Sequence, residues 1–190
     1  MRRQSLGVRT DRILVVKFPG PTEGMKIKME AMRKAIRKLP LVSKVTCSGS
    51  VPGEEVAMFL SNRRTHDALK QNRLYEMLSC DPDYMDAYGL ELVAGRGFSE
   101  DYGDDVNKLV INETAARTLG YTDYESVIGE EISVETIEEP MQVIGVVKDY
   151  HQQALNRNYT PIMLFHKDKI DWIPQRYICL LYTSDAADEL

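Results

Sequence analysis

Short β-branched runs recur along the whole chain, and none is longer than a strand. "RILVVKF" (12–18), "LVSKVTCS" (41–48), "LELVAGRGF" (90–98), "EISVETI" (131–137), "MQVIGVV" (141–147), "PIMLF" (161–165) and "YICLLY" (177–182) are each bounded by glycine, proline or a polar cluster. "EVAMFLS" (55–61) and "LYEMLSC" (74–80) read as two more strands, with "NRRTHDALKQN" (62–72) as an exposed connection. No apolar stretch approaches the roughly 18 residues of a membrane span. At 190 residues, 43% hydrophobic and 28% charged, the chain can bury a sizeable core in one domain or two small lobes.

Helical periodicity is confined to a few places. Met25, Met29, Met32, Ile36 and Leu39 recur three or four residues apart and form one apolar stripe, with Thr22 as N-cap and Pro40 as stop. With its flanking runs this gives strand, helix, strand in the first fifty residues; Pro19-Gly20-Pro21 marks the turn after the first strand. Asp81-Pro82 reads as the start of a short helix, Asp81 as N-cap, that Gly89 closes. In "LVINETAARTLGY" (109–121) a strand ends at Asn112-Glu113-Thr114. Those polar groups read as a cap: Asn112 accepts from a free first-turn N–H, Glu113 suits the positive helix end, and Gly120 takes positive φ after the last turn. Strands outnumber helices without regular alternation, which predicts an α+β fold with a mixed sheet and a few short helices. Residues 131–147 read as a hairpin.

Charge is −5 overall but uneven. The first forty residues are basic, through Arg2, Arg3, Arg9, Arg12, Lys17 and then Lys26, Lys28, Arg33, Lys34, Arg37 and Lys38; residues 81–139 are acidic. The lysines and arginines of 26–38 read as the solvated face of the helix. Without interleaved aromatics, nucleic-acid binding has no support. Met1-Arg2-Arg3 has no apolar segment after it to make a signal peptide, so these features taken alone point to the cytoplasm. Cys47, Cys80 and Cys179 lack metal-ligand spacing, and whether Cys47 and Cys80 pair stays open. His66, His151 and His166 are scattered.

Chemical motifs are sparse. There is no GxSxG, HExxH or Walker A pattern, and "GRGF" lacks the third glycine of a dinucleotide fingerprint. Asp101, Asp104 and Asp105 in "SEDYGDD" read as a solvated acidic loop or a hard-cation site. "KDYHQQ" (148–153) sets Lys148, Asp149 and His151 after a strand, as a structural turn or a general acid–base group. No catalytic, cofactor-binding or metal-binding residue is assigned and no cofactor is expected. The alternatives left are a stand-alone hydrolase-like enzyme using Asp149 and His151, and a soluble ligand-binding module.

Taken in order, "SLGVRTDRILVVK", "LVSKVTCSGSVPG", "DPDYMDAYGLELVAGRGFS", "LVINETAARTLGY", "VIGEEI" and "VIGVVKDYHQQAL" resemble one family. It is the extracytoplasmic core domain of FtsX-like/MacB-like ABC transporter permeases, Bacteroidetes type, and the resemblance covers about residues 5–166. It implies a non-enzymatic periplasmic domain of an inner-membrane permease that couples cytoplasmic ATP hydrolysis to substrate export or partner control. The implied partners are the permease's transmembrane helices, which this chain lacks, the cytoplasmic ATPase indirectly, a second permease copy and a periplasmic protein. It also implies a porter-like α/β lobe with an inserted β-rich lobe. The core domain is then expected at 5–178, with sub-lobes 11–80 plus 155–178, and 81–154. The chain is expected to be a fragment. Its end, "CLLYTSDAADEL", resembles a translated sequencing-adapter read-through, so residues 179–190 are expected to be a non-native tail that adds nothing to the fold.

Overall fold

A computed structural model describes residues 6–18, 24–56, 58–68, 71–153, 158–170 and 176–183. In chain order the elements are β1 (Ile13–Lys17), α1 (Met25–Ile36), β2 (Val42–Ser48), β3 (Phe59–Arg64), β4 (Arg73–Cys80), α2 (Tyr84–Tyr88), β5 (Leu92–Gly95), β6 (Lys108–Asn112), α3 (Glu113–Thr118), β7 (Glu131–Val134), β8 (Met141–Val147), β9 (Ile162–His166) and β10 (Tyr177–Tyr182). The fold is α+β on one mixed sheet, ordered β1-β10-β2-β4-β3-β7-β8-β6-β9, with β5 on β8.

Two parts of this sheet differ in character. At one end β10 lies antiparallel between β1 and β2, so the strand–helix–strand read from the sequence is split by a strand from the far end of the chain. Helix α1 packs on this end, where Met29, Val45, Cys47 and Ile178 form a small core. At the other end β4 also pairs in parallel with β9, over Glu76–Cys80 and Ile162–His166. That pairing closes β4-β3-β7-β8-β6-β9 into a six-stranded mixed barrel. Its filling follows from strand alternation. Tyr75 and Met77, Leu109 and Ile111, Ile132 and Val134, Met141 and Val143, and Met163 and Phe165 are buried pairs two residues apart in one cluster. The alternate set, Leu78, Cys80, Val110, Ile162 and Leu164, packs outside the barrel with Tyr84, Met85 and Tyr88 of α2 and with Tyr177 and Cys179 of β10.

β5 lies close on β8. A Cβ at Gly145 would sit 2.1 Å from the carbonyl oxygen of Arg96, so "VIGVV" carries glycine where that backbone passes.

Several expectations are corrected. α1 ends at Ile36, so Leu39 and Pro40 lie beyond it, and Met32 and Leu39 are exposed. Its N-cap is Gly24 at φ 74°, while Thr22 and the Pro19-Gly20-Pro21 turn lie outside the described residues. β3 runs through Arg64, so Asn62, Arg63 and Arg64 are strand rather than connection. The hairpin of 131–147 forms but pairs only at Glu131–Gln142 and Ile132–Met141. The division expected at 80/81 does not follow the pairing, because the barrel takes β3 and β4 from one side of it and β6, β7 and β8 from the other. Residues 179–182 are not outside the fold. They pair with β1 on one side and β2 on the other, Cys179 is 1% exposed, and Thr183 N–H donates to Leu41 C=O. Residues 184–190 lie outside the described residues.

Candidate functional site

β6 and β8 are parallel and end together, Asn112 opposite Val147. The carboxyl ends of neighbouring parallel strands are where open α/β sheets place ligands. Here the chain's own side chains fill that place. Asn112 is fully buried, and its Oδ1 accepts from Ala115 N–H at 2.9 Å, the cap read from the sequence. The same oxygen accepts from Ile162 N–H at 2.9 Å, and Nδ2 donates to Thr160 C=O at 2.8 Å. One side chain thus caps α3 and anchors the start of β9.

Asp149 completes the lock from the end of β8. Its carboxylate accepts from Thr114 N–H and Thr114 Oγ1–H, each at 2.8 Å, and from Arg117 Nη2 at 2.5 Å. Its own N–H donates to Glu113 Oε2 at 2.9 Å. Lys148 pairs outward with Glu91 at 3.0 Å, and the His151 ring lies against Tyr159, 4.5 Å between centroids. The three residues of the "KDYHQQ" reading therefore face three different partners. A carboxylate holding three donors from α3 serves to fix the α3 terminus.

The acidic loop is also internally satisfied. Arg96 forks onto Asp105 at 2.7 and 2.9 Å, Ser99 N–H donates to the same carboxylate at 2.8 Å, and the guanidinium stacks 4.0 Å from the Tyr102 ring centroid. Burial opposes ionisation of Asp105, but the Arg96 fork and the Ser99 N–H outweigh it and hold the carboxyl below the usual range. Asp104 pairs with Lys108 at 2.8 Å, and Asp101 accepts from Ser99 Oγ. Asp105 is thus a buried ion-pair member and not part of a solvated loop. Among the described residues no group of three or more His, Cys, Asp or Glu is placed to hold a metal.

A further cluster was missed by sequence reasoning. Asp81 is fully buried and does not cap α2, whose N-cap Asp83 makes no side-chain cap bond either. Its carboxylate instead accepts from Thr46 Oγ1 at 2.5 Å and Cys47 N–H at 2.8 Å, and faces Arg33 at 3.5 Å. Arg33 forks onto Glu30 with two bonds of 3.1 Å. It belongs to the buried face of α1, not the solvated one. The signal lay in its spacing: Arg33 follows Met29 by four residues and precedes Ile36 by three. Burial pushes Asp81 up to about 6 despite these donors and the Arg33 charge. Cys47, Cys80 and Cys179 are free and buried, and burial first of all drives their thiols up, to about 12 for Cys47 and about 11 for Cys179, which makes them poor nucleophiles.

The family model described as MacB-like periplasmic core domain matches residues 2–189. The chain belongs to this family of ABC transporter permease domains. Three solved structures share the fold of this MacB-like domain. The periplasmic region of MacB from Actinobacillus actinomycetemcomitans is 18% identical with a TM-score of 0.61, over 96% of this chain and 81% of that one. A domain of a protein described as a permease from Porphyromonas gingivalis is 21% identical at 0.61, over 94% and 80%. The extracellular domain of the noncanonic ABC-type transporter YknZ from Gram-positive bacteria is 16% identical at 0.60, over 93% and 88%. Comparison with curated proteins returns no match.

Proposed function

We propose that this MacB-like domain is a non-enzymatic coupling element. It sits outside the inner membrane, facing the periplasm, and its permease converts ATP hydrolysis by a cytoplasmic ATPase into substrate export or control of a partner protein. The observation that carries this reading is the filled strand ends: Asn112, Thr114, Arg117 and Asp149 bond to one another and to the backbone where a catalytic group would otherwise stand. A closed, side-chain-filled barrel supports the same role, since a densely packed body transmits displacement without absorbing it. No helix of the described residues is long and apolar enough to cross a membrane, so force would reach the domain from transmembrane helices of the permease. A second copy of the permease and a periplasmic protein are the partners this role calls for. The functional unit extends over about residues 5–183, since β10 is needed to join β1 to β2.

The test is calorimetric titration of the purified chain with ATP, with and without Mg²⁺, beside a hydrolysis assay. The expected outcome is no saturable binding and no turnover, because no glycine loop with its lysine is present to cradle phosphates. Saturable ATP binding or hydrolysis would overturn the reading.

A further inference from the structure

One mouth of the barrel carries charge that the fold does not use. β3 continues past the start of β4: Asn62 pairs with Arg73, the first β4 residue, and then Arg63 and Arg64 pair with β7 instead. A cleft of about 190 Å³ opens there, lined by Arg63, Arg64, Arg73, Tyr75, Asp67 and Gln71 from this side and by residues 118–120 at the end of α3. Gly120 closes α3 at φ +97°, and a Cβ there would meet no atom within 4 Å, so the cleft is open above it.

The charges in the cleft do not balance. Asp67 lies 3.8 Å from Arg64 and accepts from Gln71 N–H at 3.4 Å. Arg64 also lies over the Tyr121 ring, 5.6 Å from its centroid. Among the described residues Arg73 donates only to the neutral Gln71 Oε1, at 3.4 Å. The Nη1 of Arg63 is buried with no hydrogen-bond partner among the described residues. Tyr75 is 1% exposed, and its hydroxyl is likewise buried without a partner. Burial pushes that phenol up to about 12, so it keeps its proton and stands as a donor. A buried ionised donor without an acceptor is unfavourable, and native interiors rarely leave one. Here the charged Nη1 of Arg63 and the neutral Tyr75 hydroxyl share one cleft, with a net positive lining on a chain of net charge −5, which is a donor set suited to an anion.

We propose that this barrel mouth binds the oxyanion group, carboxylate or phosphate, of a small molecule. The guanidinium of Arg63 would grip two oxygens of the ligand as a fork and the Tyr75 hydroxyl would donate to one of them, while Arg73 supplies the second positive charge. The lining has the character of ligand sites in barrel mouths, a few convergent polar groups at the end of an apolar filling. The cleft has room for more than the oxyanion alone, so a ligand with a short carbon body fits.

The experiment titrates the chain with inorganic phosphate and, separately, with citrate at constant ionic strength. It follows backbone amide shifts by NMR and heat by calorimetry. Saturable one-to-one binding of at least one probe is expected, with shifts concentrated at 63–75 and 118–120. Comparing the two probes tells a phosphate preference from a carboxylate one. Arg63→Gln should weaken binding about tenfold or more and Arg73→Gln by a lesser factor, as loss of charge-assisted bonds does. Tyr75→Phe should weaken binding and, if it unfolds the barrel, Arg73→Gln at the rim replaces it as the test. Lys34→Gln on α1 removes the same charge elsewhere and should leave binding unchanged. The proposal fails if neither probe saturates by about 20 mM, well above the millimolar affinity of a weak specific site. It fails equally if Arg63→Gln binds like the parent, or if Lys34→Gln weakens binding as much.

Discussion

Replacing Asn112 by alanine should cost far more than a helix cap ordinarily does. A lost cap removes about 1 kcal/mol. Here the side chain also holds Ile162 N–H and Thr160 C=O, and at 0% exposure both bonds are made away from solvent. Each backbone group stranded this way costs about 1–3 kcal/mol. Together these come to about 3–7 kcal/mol, a large share of the 5–15 kcal/mol that holds a domain together. Asn112→Ser separates the two roles. A serine hydroxyl can cap α3 but is too short to reach β9, so it should recover only about 1 kcal/mol of the loss. The assay is urea unfolding, in which the midpoint falls and the slope stays unchanged. Amide exchange at Ala115 and Ile162 gives the local readout, with both protected in the parent and Ile162 exposed in both variants. A loss below about 1.5 kcal/mol for Asn112→Ala, or full rescue by serine, would refute the cross-link and leave only a cap.

Two further outcomes follow from the split end of the sheet. Asp81 titrates near 6 when folded, against 3.8 for the free group, so the folded state binds this proton the more tightly. Its contribution to stability is therefore full below about pH 4 and lost as pH rises through about 6, by up to about 3 kcal/mol at 1.36 kcal/mol per unit. Subtracting the stability of Asp81→Asn from that of the parent at pH 4, 5, 6 and 7 should isolate this slope; a flat difference would contradict it. Ending the chain at Tyr177 should cost more than about 4 kcal/mol, because it removes the buried Ile178, Cys179 and Leu181 and leaves β1 without a neighbour. An unchanged denaturant midpoint would restore the expectation that 179–190 adds nothing.

Features set by near neighbours were legible in the sequence. Asn112 as cap, Gly89 and Gly120 as positive-φ closures and the strand runs needed only a few residues of context, and all are present. The second role of Asn112 reaches fifty residues ahead, to Ile162, and no local pattern announces it. Barrel closure depends on β4 and β9 meeting in parallel, Glu76 opposite Ile162 far along the chain, and each of those runs reads only as another strand. Asp81 invited the capping reading because Asp-Pro is a good helix start, but the buried Arg33 and the β2 backbone compete for its carboxylate and win. The expectation of a non-native tail rests on the adapter-like "CLLYTSDAADEL" and its polar, small-residue end, while "YICLLY", which overlaps it, has the β-branched and apolar content of the strand it forms. Arg63 and Tyr75 belong to different strands and converge only because β3 outruns β4, so their shared cleft has no sequence signature.

We propose that the domain passes motion rather than performs chemistry. This is tested most directly by transport in the intact permease with residues 11–183 replaced by a flexible linker, assayed together with the ATPase. The expected result is that the permease assembles and its ATPase still turns over, while export or partner control is lost. Undiminished transport through the linker variant would contradict it.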